Sequence, residues 1–296
     1  MREFEQRRVD LATGVALNVA TAGPERGDPI IFLHGFPESH RTWREQIAAL
    51  SDRYYCVAPD QRGFARSEKP EGVENYTSDK LIADIFALAD ALGIDSFTLA
   101  GHDWGGAIAW GAAIGAPARI ERLIIANAPH PLIFQRALWE DREQRAASQY
   151  MRAFRDTSHD AFIAEHGLAP FLAKVLNWNK APALADEERA IYFRDWAETG
   201  APIAMLNWYR AARIEVPAPE DKVERPAILD APFPMLRMPV LVIWGMEDTA
   251  LLAGQIEGLD EVIEDLTLVK VQGSGHFVTW EAPEAVTGAI ESFLAR

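Results

Sequence analysis

The sequence of 296 residues predicts an α/β fold with a mostly parallel, doubly wound sheet and one inserted helical domain. The first observation is a series of near-continuous apolar runs, which is typical of strands buried on both faces of a parallel sheet. These runs are PIIFLHG, YYCVAPD, SFTLAGHD, RLIIANAP, PVLVIWG and LTLVKVQG. The second observation is that helical patterns lie between most of the runs. The third is that this alternation stops near residue 130 and resumes near residue 235, which indicates an insertion.

The elements around these runs follow in chain order. EFEQRRVDL and VALNVATAG flank Gly14 and predict an antiparallel hairpin ahead of the parallel strands. SDKLIADIFALADALG predicts a helix with Ser78 as its N-cap and Gly93 as its C-terminal stop. The closing segment PEAVTGAIESFLAR repeats the apolar stripe and predicts a last helix.

The insertion defines the predicted domain organisation. Residues 130–234 contain helical patterns rich in Trp, Tyr, Phe and Arg, and they end in a proline-rich stretch that predicts an extended return linker. We therefore predict a core domain of residues 1–129 and 235–296 and a helical cap domain of residues 130–234. An insertion that leaves the carboxyl ends of the strands covers the place where such sheets bind ligands.

Composition excludes several function classes. The net charge of −15 argues against a surface for nucleic acid or an anionic membrane. The longest apolar stretch is too short to span a bilayer, the N-terminus does not resemble a signal peptide, and Cys56 is the single cysteine. We expect a soluble cytoplasmic protein, a monomer or homodimer, that acts on a small molecule and binds neither nucleic acid nor membrane.

The stretch GHDWGG places Asp103 in a glycine-framed turn between a predicted strand and a predicted helix. Turns of this kind carry the nucleophile of a hydrolase at a strained, exposed bend. Taken alone, Asp103 is equally well explained as the N-cap of the following helix, because Asp is a favoured N-cap residue.

Two further motifs follow later strands. WGMED places Asp248 just past one apolar run, and GSGHF places His276 just past the next. Each has a simpler explanation by itself, a helix cap for the acid and a surface position for the histidine. The chain order of nucleophile, acid and histidine favours a catalytic triad at one edge of the sheet. The loop HGFP after PIIFL predicts an oxyanion hole from the backbone amides of Phe36 and Trp104, while His34 is expected to be structural.

Five motifs together resemble the aspartate-nucleophile branch of the α/β-hydrolase superfamily: HGFPESHRTWREQ, DQRGFARSEKP, GHDWGG, WGMED and GSGHF. That branch includes epoxide hydrolases, haloalkane dehalogenases and fluoroacetate dehalogenases. The resemblance covers nearly the whole chain and implies the α/β-hydrolase fold and a reaction that uses no metal and no cofactor. One departure is Ala65, where relatives usually carry glycine.

A carboxylate nucleophile suits a tetrahedral carbon. It is already charged at neutral pH, so it displaces a leaving group directly and forms an ester. Water deprotonated by His276, which Asp248 orients, then attacks the carbonyl carbon of Asp103. The amides of Phe36 and Trp104 stabilise the resulting oxyanion. We predict this two-step hydrolysis.

The leaving group distinguishes epoxides from halides. NWYR resembles the cap motif of epoxide hydrolases, which implies that Tyr209 binds the epoxide oxygen and that Tyr150 is the second tyrosine. A tyrosine hydroxyl suits protonation of that oxygen. Phe36 brings no side-chain donor where haloalkane dehalogenases commonly place asparagine. Trp104 stands where fluoroacetate dehalogenases carry arginine, although its indole serves a halide or an epoxide equally well.

The prediction is therefore an epoxide hydrolase that makes vicinal diols. Asp103, Asp248, His276, Tyr150 and Tyr209 are the predicted catalytic residues, and the predicted substrate-binding residues are Phe36, Trp104, Tyr150 and Tyr209. One alternative is a haloalkane or haloacetate dehalogenase that uses the same nucleophile, and a less favoured one is a non-catalytic ligand-binding protein. The remaining cap aromatics considered are predicted to be packing residues: Trp139, Trp178, Tyr192, Trp196 and Trp208.

Overall fold

The computed structural model describes residues 4–175, 184–221, 225–230 and 232–296. Within them, eight strands form one sheet in the spatial order β1-β2-β4-β3-β5-β6-β7-β8. The first two strands form the predicted hairpin, β2 pairs antiparallel with β4, and the pairs from β4 to β8 are parallel. The predicted α/β-hydrolase fold is confirmed. The strands are β1 (Glu5–Asp10), β2 (Ala16–Ala22), β3 (Pro29–Leu33), β4 (Tyr55–Pro59), β5 (Phe97–His102), β6 (Ile120–Ala126), β7 (Val240–Gly245) and β8 (Leu266–Val271).

Burial explains why the central strands have continuous apolar sequences. Every residue of β4, β5 and β7 is buried, because helices cover both faces of the sheet. The edge strand β1 is mostly exposed and carries charged residues, which discourages pairing with another chain.

Five helices flank the sheet, and their bounds follow the apolar stripes. They are α1 (Arg44–Leu50), α2 (Ser78–Ala91), α3 (Trp104–Gly115), α11 (Val278–Glu281) and α12 (Pro283–Leu294). The N-cap prediction for α2 was wrong by one residue, because Thr77 has the extended cap conformation and Ser78 is already helical. Gly93 follows the helix with a φ of 70°, which suits its predicted role as a stop.

Between β6 and β7, the regular elements of the described residues are helices. They include α4 (Pro131–Glu140), α5 (Arg142–Ala147), α6 (Tyr150–Arg155), α7 (Asp160–His166), α8 (Leu168–Val175), α9 (Asp186–Ala197) and α10 (Ala201–Ala211). We call residues 130–234 the cap segment. In the described part of its return to β7, the regular element is one 3₁₀ turn at Ala227–Asp230. No helix in the described ranges combines the length and the apolar character needed to cross a bilayer.

Two buried tryptophans tie the cap segment to loops of the core. The indole N–H of Trp208, on α10, donates to the carbonyl of Arg62 at 2.9 Å. The indole N–H of Trp196, on α9, donates to the carbonyl of Pro37 at 2.5 Å, and Glu188 of the same helix forms an ion pair with Arg41. These contacts hold α9 and α10 against the carboxyl-terminal edge of the sheet, where the candidate site lies.

Candidate active site

Asp103 occupies the sharp turn between β5 and α3. Its backbone has a φ of 50° and a ψ of −120°, a conformation that residues other than glycine rarely adopt and that costs about 1–3 kcal/mol. Its side chain makes no capping hydrogen bond to α3. The N-cap alternative therefore does not explain the residue, and such strain is found where a side chain must be held in a functional direction.

Two glycines allow other backbone segments to approach this turn. A Cβ atom on Gly35 would lie 2.4 Å from Cβ of Asp103, and one on Gly105 would lie 2.4 Å from the carbonyl oxygen of Leu33. Both separations are too short for a real side chain. The loop after β3 thus packs directly against Asp103, the candidate nucleophile, and the first turn of α3 packs against the end of β3.

The structure brings the three predicted triad residues together at this edge. Nδ1 of His276 lies 2.7 Å from Oδ2 of Asp248, and Nε2 of the same ring lies 3.5 Å from Oδ2 of Asp103. Each residue follows the carboxyl end of a strand: β5 for Asp103, β7 for Asp248 and β8 for His276. The imidazole therefore bridges two carboxylates, as a base between a nucleophile and an orienting acid requires.

Asp248 is held by groups that the sequence analysis did not identify. Its Oδ1 accepts hydrogen bonds from the amides of Ala250 at 2.8 Å and Leu251 at 2.9 Å. Its Oδ2 accepts one from Nδ2 of Asn127 at 2.8 Å, in addition to the contact with His276. Asn127 directly follows β6 and has a φ of 38°. This positive φ is visible only in the structure, so the sequence did not point to Asn127.

The two carboxylates set the charge of the imidazole between them. Burial disfavours a charged His276, but Asp248 and Asp103 outweigh it and raise the pKa of His276 well above its ordinary value. Burial also disfavours a charged Asp103, yet the hydrogen bond and charge of His276, the charge of His102 and the Phe36 amide lower the pKa of that carboxyl. The carboxyl group of Asp103, the candidate nucleophile, is therefore ionised at neutral pH.

The predicted oxyanion amides lie beside the nucleophile. The amide of Phe36 donates to Oδ1 of Asp103 at 2.7 Å. Trp104 is the first residue of α3, so its amide is among those that have no acceptor within the helix. Both amides are thus available to a negative charge that develops on the Asp103 carboxyl group.

A second buried pair, also missed from sequence, lies directly beneath the triad. Nδ1 of His102 lies 2.9 Å from Oε2 of Glu38, and its Nε2 lies 2.8 Å from the backbone oxygen of His276. The two ring nitrogens of His102 thus each face an oxygen atom, one of Glu38 and one of the His276 backbone. Thr42 at 2.6 Å and Trp280 at 2.9 Å complete the shell of Glu38. The pair therefore contacts the backbone of His276, the predicted base.

A cavity of about 300 Å³ lies above Asp103, between the core and the cap segment. Asp103, Trp104, Tyr150 and Tyr209 all line it. Most of the remaining wall is apolar and comes from Ala107, Ile108, Phe134, Met151, Ile214 and Leu251. The cavity therefore suits a small, mostly apolar molecule with one reactive polar group. Phe36 is absent from this lining, whereas its backbone amide donates to Asp103.

The two tyrosines approach Asp103 from different helices of the cap segment. Tyr150 begins α6 and Tyr209 lies near the end of α10, with ring centroids 6.2 Å apart. Burial and then the charge of Asp103 raise the pKa values of both hydroxyls. Each therefore keeps its proton at neutral pH. The ring of Tyr209 also packs edge-on against Trp104 and Phe36 at 5.0 and 5.1 Å.

The cap aromatics that were predicted to be packing residues do not line the cavity, where the structure describes them. Tyr192, Trp196 and Trp208 are buried, Trp139 is partly buried, and none of the four lines the cavity. Trp178 lies outside the described residues. His34 is buried in the core, where its Nε2 accepts from the amide of Gln61 at 2.9 Å and its Nδ1 lies 2.9 Å from the carbonyl oxygen of Gly35. The contacts of His34 are structural.

Comparison with known proteins gives a consistent family relationship. The family model described as alpha/beta hydrolase fold matches residues 28–283. The chain is 35% identical to the AB hydrolase superfamily protein YfhM of Bacillus subtilis, over 95% of each chain. It is 30% identical to epoxide hydrolase 1 of Caenorhabditis elegans, over 95% of this chain and 68% of the relative.

Solved structures agree with these relatives. The chain is 54% identical to a protein described under "Novel epoxide hydrolases belonging to the alpha/beta hydrolases superfamily in metagenomes from hot environments", with a TM-score of 0.95 and 99% of both chains covered. It is 30% identical to the epoxide hydrolase of Bacillus megaterium solved with an inhibitor, with a TM-score of 0.87 and coverage of 98% and 100%.

Proposed function

Because this chain belongs to the α/β-hydrolase family, we propose that it is an epoxide hydrolase that makes vicinal diols through a covalent ester on Asp103. The observation that carries the proposal is the arrangement of two protonated tyrosines, Tyr150 and Tyr209, around the cavity that contains an ionised carboxylate. The relatives named as epoxide hydrolases support the same substrate class.

The first step opens the epoxide ring. A carboxylate oxygen of Asp103 attacks one ring carbon, the bond between that carbon and the epoxide oxygen breaks, and the oxygen takes a proton from a tyrosine hydroxyl. Solvent returns that proton to the tyrosinate. Two hydroxyls should speed ring opening more than one, because the second stabilises the developing alkoxide while the first transfers its proton.

The second step hydrolyses the ester. His276 removes a proton from water, the resulting hydroxide attacks the carbonyl carbon of Asp103, and the amides of Phe36 and Trp104 stabilise the oxyanion. The bond between the carbonyl carbon and the diol oxygen then breaks, and the protonated His276 gives its proton to the departing diol oxygen. The regenerated carboxylic acid of Asp103 passes its proton to His276, which restores the resting site. Esterification of Asp103 removes one of the two charges that raise the pKa of His276. The imidazole therefore moves towards its neutral, basic form at the stage when a base is needed.

The donors around the cavity favour an epoxide over a halide. A leaving halide needs hydrogen-bond donors but no proton, whereas the oxygen of an opening epoxide needs a proton. Tyr150 and Tyr209 line the same cavity as Asp103 and supply such protons, and the ring of Trp104 packs edge-on against Tyr209 at 5.0 Å. A dehalogenase on the same nucleophile remains the competing function for the test.

A substrate panel with tyrosine variants tests the proposal. Styrene oxide, an aliphatic epoxide, a haloalkane and fluoroacetate are assayed for diol and for released halide. Alkylation by styrene oxide is then measured by stopped-flow tryptophan fluorescence in Tyr150→Phe, Tyr209→Phe and the double variant. Loss of a general acid costs about 10²–10⁴-fold in rate. Each single variant keeps one hydroxyl, so we expect it to slow alkylation by about 10²-fold or less. The double variant should lose nearly all alkylation activity.

The contrary outcomes are equally specific. Halide release without diol formation assigns the chain to the dehalogenases. Epoxide opening at the wild-type rate in the double variant removes the tyrosines from the mechanism. Ester hydrolysis serves as the internal control, since that step does not use the cap hydroxyls and should be unchanged.

A further inference from the structure

Gln144 is a fully buried polar residue that reaches from the cap segment into the core. It lies on α5 and is 0% exposed. Its Nε2 donates to the carbonyl oxygen of Ala250 at 2.8 Å, and its Oε1 accepts from the amide of Leu252 at 2.8 Å. A primary amide that both donates to and accepts from one short backbone segment fixes the conformation of that segment, because a shift of either backbone group breaks a bond.

The segment that Gln144 holds is the one that positions the acid of the triad. The amides of Ala250 and Leu251 donate to Oδ1 of Asp248. Gln144 binds the carbonyl of Ala250 and the amide of Leu252, so its two bonds lie on both sides of Leu251. We call residues 249–252 the acid loop. The direction of the Asp248 carboxylate therefore depends on a side chain of the cap segment.

The same amide group reaches toward one of the two tyrosines. Nε2 of Gln144 also donates to Oγ of Ser148 at 2.9 Å. Ser148 is fully buried at the end of α5, and its backbone oxygen accepts from the amide of Met151 in the first turn of α6. Tyr150 is the first residue of that helix. One side chain thus connects the acid loop with the turn that presents Tyr150 to the cavity.

We propose that Gln144 is a positioning residue that aligns Asp248 and Tyr150 together, so that the acid needed for ester hydrolysis and the hydroxyl needed for ring opening share one support. This inference rests on the proposed function. Gln144 does not line the cavity and acts only through the acid loop and the start of α6. It also gives the cap segment a role in hydrolysis, a step in which none of its side chains reacts.

The variant Gln144→Met tests this role, because methionine has a similar length and volume but forms none of the three hydrogen bonds to Ala250, Leu252 and Ser148. Misplacement of a catalytic group by about 1 Å costs on the order of 10²-fold. We expect Gln144→Met to slow both alkylation and ester hydrolysis by about 10-fold or more. Both rates are measured by stopped-flow fluorescence with styrene oxide and divided by the burst amplitude, so that they refer to folded, active protein only.

A matched control comes from the neighbouring Gln149. Its Nε2 donates to the carbonyls of Arg145 and Pro217, both at 2.9 Å, and both acceptors belong to the cap segment. Gln149→Met therefore removes two bonds without touching the acid loop. It should lower the melting temperature while leaving the rate of ester hydrolysis at the wild-type value.

Ser148→Ala separates the two arms of the support and keeps the test valid if Gln144→Met does not fold. It preserves the bonds of Gln144 to the acid loop and removes only the link toward Tyr150. We expect slower alkylation with unchanged hydrolysis.

Three results decide the matter. Slower alkylation and slower ester hydrolysis in Gln144→Met, or slower alkylation alone in Ser148→Ala, supports the positioning role of Gln144. Wild-type rates per active site in both variants overturn it, whatever their melting temperatures. If the wild-type protein itself forms no ester and no diol, the proposed function fails instead, so the two failures are distinguishable.

Discussion

Asn127 offers a quantitative test of how the acid of the triad is held. Its Nδ2 donates to Oδ2 of Asp248 at 2.8 Å, and its Oδ1 accepts from the amide of Gly245 at 2.8 Å. Asn127→Gly removes both bonds while tolerating the φ of 38°. Loss of a hydrogen bond to a charged group costs about 1.5–3 kcal/mol, and the buried Gly245 amide left without a partner costs about 1–3 kcal/mol more. The free energy of unfolding should fall by about 2.5–6 kcal/mol.

Asn127→Ala separates the side chain from the backbone. Alanine loses the same bonds but keeps a Cβ atom in the left-handed region, which costs about 1–2 kcal/mol. Glycine avoids that strain but loses about 0.5–1 kcal/mol through the flexibility of the unfolded chain. The alanine variant should therefore be the less stable of the two, by about 1 kcal/mol. This order is opposite to that expected in an ordinary helix or strand.

Urea unfolding and stopped-flow kinetics provide the two assays for these variants. Both should slow ester hydrolysis by about 10-fold or more, because Asp248 orients His276 less well. Alkylation should be nearly unchanged, since the hydrogen bonds of Asn127 do not involve the tyrosines or the carboxylate of Asp103. An alanine variant more stable than the glycine variant, or unchanged hydrolysis in both, contradicts this reasoning.

Three further predictions concern charge and strain. In Asp103→Asn the pKa of His276, followed by NMR titration of its imidazole, should be lower than in the wild type, because one of the two charges that raise it is gone; an equal or higher value refutes the coupling. Glu38→Gln should destabilise the protein by about 1–3 kcal/mol, since an amide nitrogen replaces one carboxylate oxygen and leaves either His102 or the pair of Thr42 and Trp280 without its buried acceptor; an unchanged free energy of unfolding in urea refutes this role of Glu38. Ala65→Gly should be neutral or stabilising by up to about 1 kcal/mol, because relief of the φ of 42° exceeds the entropy cost; clear destabilisation shows that the strain estimate is wrong.

The sequence predicted the fold well because its signals are local. Continuous apolar runs identified the buried strands, and turn glycines such as Gly93 identified where helices end. The motifs around Asp103, Asp248 and His276 placed each side chain just past a strand. Since the carboxyl ends of parallel strands meet at one edge of a sheet, their proximity followed from the fold.

The supporting residues were missed because their signals are not local. Asn127, Glu38 and Gln144 are ordinary polar residues in sequence, and their roles depend on partners more than 60 residues away. The N-cap of α2 was misplaced by one residue because Thr77 and Ser78 are both good caps, and only the backbone angles separate them. Ala65 was recognised as a departure, but the positive φ that makes glycine common there became visible only in the structure.

The central claim is that Asp103 is the nucleophile and forms an ester that His276 removes. The most direct measurement is intact-mass spectrometry of His276→Gln after addition of styrene oxide, followed by peptide mapping. We expect one covalent adduct per chain, located on Asp103, because ring opening proceeds while hydrolysis stops. Unmodified protein that still makes diol at the wild-type rate, or an adduct on another residue, would contradict it.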